Sequence, residues 1–174
     1  MAAMDVFGLL IRHEGERFKC YPDPSGVGLC IGVGRNMTTD GFYPNEVPYF
    51  TAKYGDDWRH HIKNEGIDQA DSRFMLGNDV AFVSGKLAEY DWFRSLDEAR
   101  RAALIDMAFE MGMGGAGTAH GLLGFHDMIK AIVAKDFGLA KVHGLRSTWG
   151  FDPKTKKRAD EVTTMIETGK WPEA

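Results

Sequence analysis

The stretch that decides the fold is HEGERFKCYPDPSGVGLCIGVGRN, residues 13–36. Just before it, apolar residues recur at helical spacing over residues 3–14, and Gly15 is placed to end that helix. Residues 16–34 then have the composition of a twisted hairpin with glycines at its turn. The stretch therefore predicts a passage from an amphipathic helix into a small antiparallel sheet.

Two carboxylates, Glu14 and Asp23, lie in this passage with eight residues between them. Glu14 falls in or near the last helical turn, where the negative end of the helix dipole disfavours its ionised form. Asp23 falls in a polar, proline-flanked turn, where a carboxylate stays ionised. A neutral acid and a charged carboxylate on opposite walls of a groove are what glycoside hydrolysis requires. Taken alone, the spacing is better explained by two surface carboxylates beside a turn than by a catalytic pair.

Length and composition limit the possible functions. A chain of 174 residues with 44% hydrophobic residues suits one compact domain, or two small lobes that share a helix. The formal net charge of −4, with acidic and basic residues interspersed, argues against nucleic acid as the main partner. No apolar run approaches the roughly 20 residues of a transmembrane helix, so we expect no stable membrane insertion.

Cysteine and histidine usage predicts neither a metal site nor a cofactor. The six histidines and two cysteines show no metal-ligand spacing. Cys20 and Cys30 fit a protein made in a reducing compartment. A disulfide across the hairpin is an alternative, but two reduced, buried thiols are the favoured interpretation.

The rest of the chain predicts mostly helices. Residues 35–65 are aromatic and proline-interrupted, and we expect them to be irregular. Asp68 offers an N-cap for a long helix to about residue 89, and Ser95 with Glu98 forms a capping-box signature. The helix that follows is apolar on several faces, which is typical of a central helix. Further helices are predicted at about 125–135, 136–144 and 156–168. The expected fold is α+β and mostly helical, with two lobes and a cleft between them.

Four blocks in the same order resemble the phage lysozymes of the T-even type, placed in glycoside hydrolase family 24. They are residues 13–36, 66–83, 95–112 and 147–171, and the resemblance as a whole runs over most of the chain in this order. The resemblance does not extend over residues 36–65. It implies one lysozyme-like domain with a sheet-containing lobe, a joining helix and a helical lobe. The boundaries it implies are about 13–66, 67–89, and 90–174 together with 1–12.

The resemblance also implies catalytic roles. Glu14 corresponds to the general acid, and Asp23 to the second carboxylate of an inverting enzyme. Cys30 stands where the family has a threonine that positions the attacking water, and the segment from Asp23 is one residue longer. Cys30 could still orient the water, Ser25 could supply the hydroxyl, or the sugar's own hydroxyl could attack, giving transglycosylation. A small buried hydrophobe is the remaining interpretation of Cys30.

Other positions follow from the same resemblance. Arg35 and Asp79 are predicted to form a structural ion pair, which would be worth no more than about 1 kcal/mol if exposed. The substrate-binding residues implied by the resemblance are Asn36, Phe109, Glu110 and His143. Trp149 is expected to pack in the core near the cleft, and a platform on which a sugar stacks is the alternative.

Three segments remain open to more than one interpretation. The glycine-rich residues 112–124 lack the lysine-serine ending of a phosphate loop, and we expect a mobile loop on the cleft rim. The aromatic residues of 36–65 could form a cleft wall or a local core. A basic cluster could be a solvated helix start or could contact anionic cell-wall polymer; it comprises Lys154, Lys156, Lys157 and Arg158.

The function that the resemblance implies is that of an endolysin. It would hydrolyse the β-1,4 bond between N-acetylmuramic acid and N-acetylglucosamine in bacterial peptidoglycan for host cell lysis. The alternatives are a catalytically weak or inactive glycan-binding phage or toxin module, and a lytic transglycosylase. We expect a monomer made in the host cytoplasm that reaches the wall, in the periplasm, after the membrane has been permeabilised.

Overall fold

The computed structural model describes residues 4–24, 26–115 and 120–173. Most of these residues are helical, and a small antiparallel sheet lies near the amino terminus, so the predicted α+β class is confirmed. The helices are α1 Val6–Glu14, α2 Glu46–Tyr54, α3 Trp58–Glu65, α4 Gln69–Leu87, α5 Asp91–Arg94, α6 Glu98–Met111, α7 His126–Val133, α8 Phe137–Leu145, α9 Thr148–Phe151 and α10 Lys156–Thr168. The strands are β1 Arg17–Pro22, β2 Leu29–Gly32 and β3 Arg35–Asn36.

The chain divides into two compact units. One unit comprises residues 10–81, which we call the sheet unit, and it contains the three strands. The other comprises residues 1–9 and 82–174, which we call the helical unit. No helix among residues 4–24, 26–115 and 120–173 is long and apolar enough to cross a membrane.

The sheet has the order β1-β2-β3, and its register determines which side chains converge. Cys30 on β2 lies opposite Tyr21 on β1 and opposite Asn36 on β3. Directly opposed residues project from the same face of a sheet, and their sequence neighbours project from the other face. The Cys30 and Asn36 side chains therefore lie side by side, whereas Ile31 and Arg35, which also pair, point to the opposite face.

The prediction of irregular structure over residues 35–65 is wrong, because α2 and α3 occupy much of this segment. Pro48 is the third residue of α2. N–H groups in the first turn of a helix have no acceptor within the helix, so a proline there breaks no helical hydrogen bond. Phe50 and Trp58 are almost fully buried, and their rings stack at 5.4 Å. The aromatic residues therefore form the core of the sheet unit, together with Ile31, Ile62, Ile67 and Met75.

The helical unit is built around α6, as its apolar sequence predicts. Its buried residues include Ala102, Ala103, Leu104 and Met107, and α10 packs against this helix. The predicted Ser95–Glu98 capping box is wrong: the Asp97 side chain accepts the cap hydrogen bond, from the backbone N–H of Arg100. The Ser95 hydroxyl donates instead to the carbonyl of Trp92, because residues 91–94 form the additional short helix α5.

Candidate functional site

Glu14 is the last residue of α1, where the sequence predicts it. The helix ends because Gly15 adopts a left-handed φ of 76° while its N–H still bonds to the Ile11 carbonyl at 2.9 Å. The turn between β2 and β3 passes close beside this carboxylate. A Cβ built on Gly34 would lie 3.6 Å from Glu14 Oε2, so glycine lets the backbone approach the acid.

Asp23 lies at the start of a closed turn between β1 and β2. Its N–H donates to the Gly28 carbonyl at 3.1 Å, and its carbonyl accepts from the Gly26 N–H at 2.9 Å. Gly28 has a φ of 91°, and a Cβ there would lie 2.6 Å from Thr38 Cβ. The turn is therefore held against residues 36–38. Ser25, the alternative hydroxyl donor, lies outside the described residues.

One oxygen of Asp23 accepts two side-chain hydrogen bonds. Cys30 Sγ and Asn36 Nδ2 each lie 3.1 Å from Asp23 Oδ2. The two donors converge because they face each other across β2 and β3. Donors aimed at a carboxylate stabilise its ionised form and fix its orientation. The strand register thus fixes the orientation of Asp23, the second carboxylate of the predicted pair.

Cys30 is a protonated thiol in this arrangement. It is 2% exposed, and burial, together with the hydrogen bond to Asp23 and the negative charges of Asp23 and Asp40, raises its pKa to about 12. The S–H proton points to Asp23 and is not available to a water. Cys20 lies at the neighbouring strand position, is half-buried, and donates to the carbonyl of Ile62, so the two cysteines are free thiols with separate partners.

This environment predicts thiol reactivity. In the Cys20→Ser variant, the remaining Cys30 should not react with a disulfide reagent at pH 8 while the protein is folded, because the attacking species is the thiolate. Full labelling is expected after unfolding in guanidinium, which serves as the control. Rapid labelling of folded Cys20→Ser protein would contradict the buried, hydrogen-bonded thiol.

Asn36 was expected to bind substrate, but its side-chain amide is fully used within the protein. Nδ2 donates to Asp23 and to the Val27 carbonyl at 2.7 Å, while Oδ1 accepts from the N–H groups of Thr38 and Thr39. An asparagine amide has two donors and accepts two such bonds. Its hydrogen bonds therefore join the Asp23 turn to the segment after β3, and its contact with substrate stays a prediction.

The structure contains the Arg35–Asp79 ion pair, with Arg35 Nη2 2.7 Å from Asp79 Oδ1. The side chains are largely buried, 3% exposed for Arg35 and 15% for Asp79, so the limit of about 1 kcal/mol for an exposed pair does not apply. Sequence analysis also missed a third member: Glu46 is fully buried, and both of its oxygens accept from the Arg35 guanidinium. The contact of Glu46 with Arg35 could not be predicted, because Glu46 begins α2 in the segment that was expected to be irregular.

In the helical unit, Glu110 lies in a charged network. It accepts from the indole N–H of Trp149 at 2.9 Å and lies 3.2 Å from Arg158 Nε, which also pairs with buried Asp106 at 2.8 Å. Arg158 is therefore not part of the exposed basic cluster. Trp149 packs against the core of this unit, as expected, and also lines a cavity.

That cavity has a volume of about 670 Å³. Two of the predicted substrate-binding residues, Glu110 and His143, line it, with His120, Arg146 and Asp152 among the others. Phe109 is half-buried and is not among the lining residues. His120 and Arg146 carry no sequence motif, and only the tertiary structure places them on this cavity.

Two further expectations concern the same regions. Among the described residues, no cluster of histidine, cysteine, aspartate or glutamate could hold a metal ion. The glycine-rich segment falls partly outside the description, since residues 116–119 are not described, and the mobile loop stays a prediction.

Comparison with known proteins gives relatives over nearly the whole chain. The probable T4-type lysozymes 1 and 2 of Dictyostelium discoideum are 27% and 26% identical over 166 residues, covering 92% of this chain and 92% of each relative. The pre-baseplate central spike protein Gp5 of enterobacteria phage T4 is 30% identical over 176 residues, which is 95% of this chain but 28% of that protein. No family model matches. These relatives support the resemblance to T4-type lysozymes.

Proposed function

We propose that this protein is a peptidoglycan-cleaving muramidase of the glycoside hydrolase family 24 type. The observation that carries the proposal is the Asp23 carboxylate, fixed by Cys30 and Asn36 on the same hairpin that follows Glu14 at the end of α1. The similarity to proteins named T4-type lysozyme supplies the substrate class. The bond cleaved is the β-1,4 bond between N-acetylmuramic acid and N-acetylglucosamine.

In this mechanism Glu14 acts as the general acid. It protonates the bridging oxygen as the bond to the leaving sugar breaks, and positive charge develops on the other sugar ring. Asp23 enters the reaction as a carboxylate, stabilises that charge and becomes protonated when it takes the proton of the attacking water. In inverting enzymes of this kind the two carboxyl groups are separated by roughly 6.5–9.5 Å, which leaves room for the water.

Cys30 takes a different role from the one that a threonine would have. Its S–H donates to Asp23, so it orients the carboxylate rather than the water. A thiol is also a poor ligand for water compared with a hydroxyl. We therefore propose that Cys30 and Asn36 form a pair of donors that aims Asp23, and that Asp23 itself holds the water.

The decisive experiment is mass spectrometry of the soluble fragments released from purified Gram-negative peptidoglycan. Reducing N-acetylmuramic ends would support hydrolysis. Anhydro-muramic ends would replace the water mechanism with transglycosylation by the sugar's own hydroxyl. Fragments with neither end, from cleavage of peptide bonds, would contradict the proposal.

A glycan-binding module without turnover is the second candidate. The observation that favours it is Cys30, which stands in the position of the family's threonine and donates its S–H to Asp23 rather than to a water. The similarity to a phage spike protein is compatible with such a module. Folded protein that sediments with peptidoglycan but releases no fragments would establish this alternative.

The biological role belongs to the same proposal. We propose a phage endolysin that acts on the wall of the host as a monomer. It would be made in the host cytoplasm and would reach the periplasm after membrane permeabilisation. The cavity containing Glu110 and His143 would bind part of the glycan or its peptide stem.

The donor role of Asn36 gives a specific prediction. Asn36→Asp keeps an acceptor for Thr38 and Thr39 but replaces the donor to Asp23 with a second carboxylate oxygen. Two neighbouring carboxylates repel each other, so one of them binds a proton more readily. The acidic limb of the profile of activity against pH should therefore move to higher pH. Turnover at pH 6 should fall about 10–100-fold, because misplacing a catalytic group costs this order of magnitude.

The control is Asn64→Asp, since Asn64 is exposed and donates to the His60 carbonyl of its own helix, away from Asp23 in the sequence. It should leave the profile unchanged. If Asn36→Asp lowered thermal stability without moving the pH profile, Asn36 would be a structural residue only.

A further inference from the structure

The outer face of α8 is apolar, although it faces solvent. Leu139 is 44% exposed and Val142 is 39% exposed, and they are three residues apart on the helix. Ala140 and Gly144 form the buried side of the same helix, which packs against α7 and α10. A surface helix normally presents polar residues outward. The exposure of Leu139 and Val142 means that no part of the described residues covers this apolar face.

The apolar face continues into a groove next to α9. Leu145, three residues beyond Val142, lines a groove of about 510 Å³ with Phe151 and Pro153. Phe151 is 69% exposed, the largest exposed fraction among the large apolar side chains of the described residues. The backbone that carries it is ordered by hydrogen bonds, because the Phe151 N–H donates to the Ser147 carbonyl and the Asp152 N–H to the Thr148 carbonyl.

Basic side chains border this surface. Lys156 and Lys157 line the groove, together with Asp160, and Lys154 is exposed beside them. The three lysines form no ion pair among the described residues, whereas Lys141 is paired with Glu167. Between residues 135 and 157 the chain has six lysines or arginines and two aspartates, although its overall net charge is −4. The exposed apolar residues thus coincide with a basic region of an acidic protein.

We propose that this surface, formed by Leu139, Val142, Leu145, Phe151, Lys154, Lys156 and Lys157, binds the surface of an anionic lipid bilayer. The apolar side chains would enter the boundary between headgroups and acyl chains, and the lysines would contact lipid phosphates. This is peripheral binding in the plane of the membrane, without insertion of a helix across it. The basic border favours an anionic partner, and a symmetric contact with a second copy would instead place the same lysines against each other.

The test is cosedimentation with sucrose-loaded vesicles. They consist of phosphatidylcholine alone or of phosphatidylcholine with about 30 mol% phosphatidylglycerol. Binding is expected only with the anionic lipid, and it should weaken as salt is raised because the lysine contacts are screened. Each lysine near such a surface contributes about fivefold to partitioning, so Lys156→Gln/Lys157→Gln should reduce binding by about 25-fold. Phe151→Ser should reduce it by about tenfold or more, because an aromatic ring leaves the interface.

Matched controls are available in the same unit. Phe82→Ser removes a phenylalanine that is also more than half exposed, at 52%, but lies on α4. Lys170→Gln removes an exposed lysine beyond α10. Both should bind like the unaltered protein.

Absence of binding to phosphatidylglycerol vesicles would overturn the proposal, as would equal losses in Phe151→Ser and Phe82→Ser. A dimer in sedimentation equilibrium that Phe151→Ser dissociates would assign the surface to a second copy instead. The vesicles contain no glycan, so the outcome is independent of the proposed muramidase activity.

Discussion

Glu14→Gln should strongly slow release of fragments from peptidoglycan while the protein still folds and sediments with the wall. The substitution keeps the size of the side chain but removes the proton that the leaving oxygen needs. General acid catalysis contributes about 10²–10⁴-fold, and the rate should fall by that factor. The measurement is the initial rate of fragment release, with circular dichroism and thermal unfolding to verify the fold.

Glu65→Gln is the matched control, because Glu65 is an exposed glutamate of the sheet unit and should leave the rate unchanged. Wild-type rates in Glu14→Gln would exclude Glu14 as the acid. Asp23→Asn separates the mechanisms further. A strong loss is expected for the inverting reaction, and full activity would point to a transglycosylase with a single acid.

Glu46→Gln should produce the largest loss of stability. Both oxygens of Glu46 act only as acceptors, since Oε1 faces Arg35 and Asn78 while Oε2 faces Arg35 and the N–H of Tyr43. A glutamine amide would direct N–H groups at these donors in either orientation. Breaking a buried ion pair costs about 3–5 kcal/mol, which corresponds to a fall in Tm of roughly 6–20 °C for a chain of this size.

The control for this substitution is Glu89→Gln, whose partner Lys86 is 3.7 Å away and whose side chain is 67% exposed. An exposed pair contributes little, so its free energy of unfolding should change by less than about 1 kcal/mol. Urea unfolding of both variants provides the comparison. Equal stabilities would mean that the Arg35–Glu46–Asp79 cluster does not stabilise the sheet unit.

The same cluster gives the stability a pH dependence. Burial raises the pKa of Asp79 to about 6, with the Glu46 charge adding to the effect and Arg35 opposing it. A carboxyl group whose folded pKa lies above its unfolded value contributes stability that is lost as the pH rises through the folded value. The contribution of Asp79 to the free energy of unfolding should therefore decline between about pH 4 and pH 6.

Local patterns were sufficient for much of the fold. Glu14 is at the end of α1 because apolar periodicity followed by glycine specifies a helix and its end. The pairing of β1 with β2 follows similarly from a glycine-containing turn between short strands. The same approach gave a wrong prediction for residues 36–65. Two prolines in this segment were interpreted as breaking regular structure, but in the structure Pro48 lies in the first turn of α2, where a helix tolerates proline.

The sequence by itself determined the helix–hairpin order, the α+β class and the spacing of Glu14 and Asp23, because these depend on residues close together in the chain. The tertiary structure alone decided what Cys30, Asn36 and Glu46 contact. Cys30 and Asn36 meet Asp23 through strand register, and Glu46 reaches Arg35 through the packing of α2. Such contacts depend on distances across the fold that no local pattern encodes, and a one-residue change of register would reverse the face of each side chain.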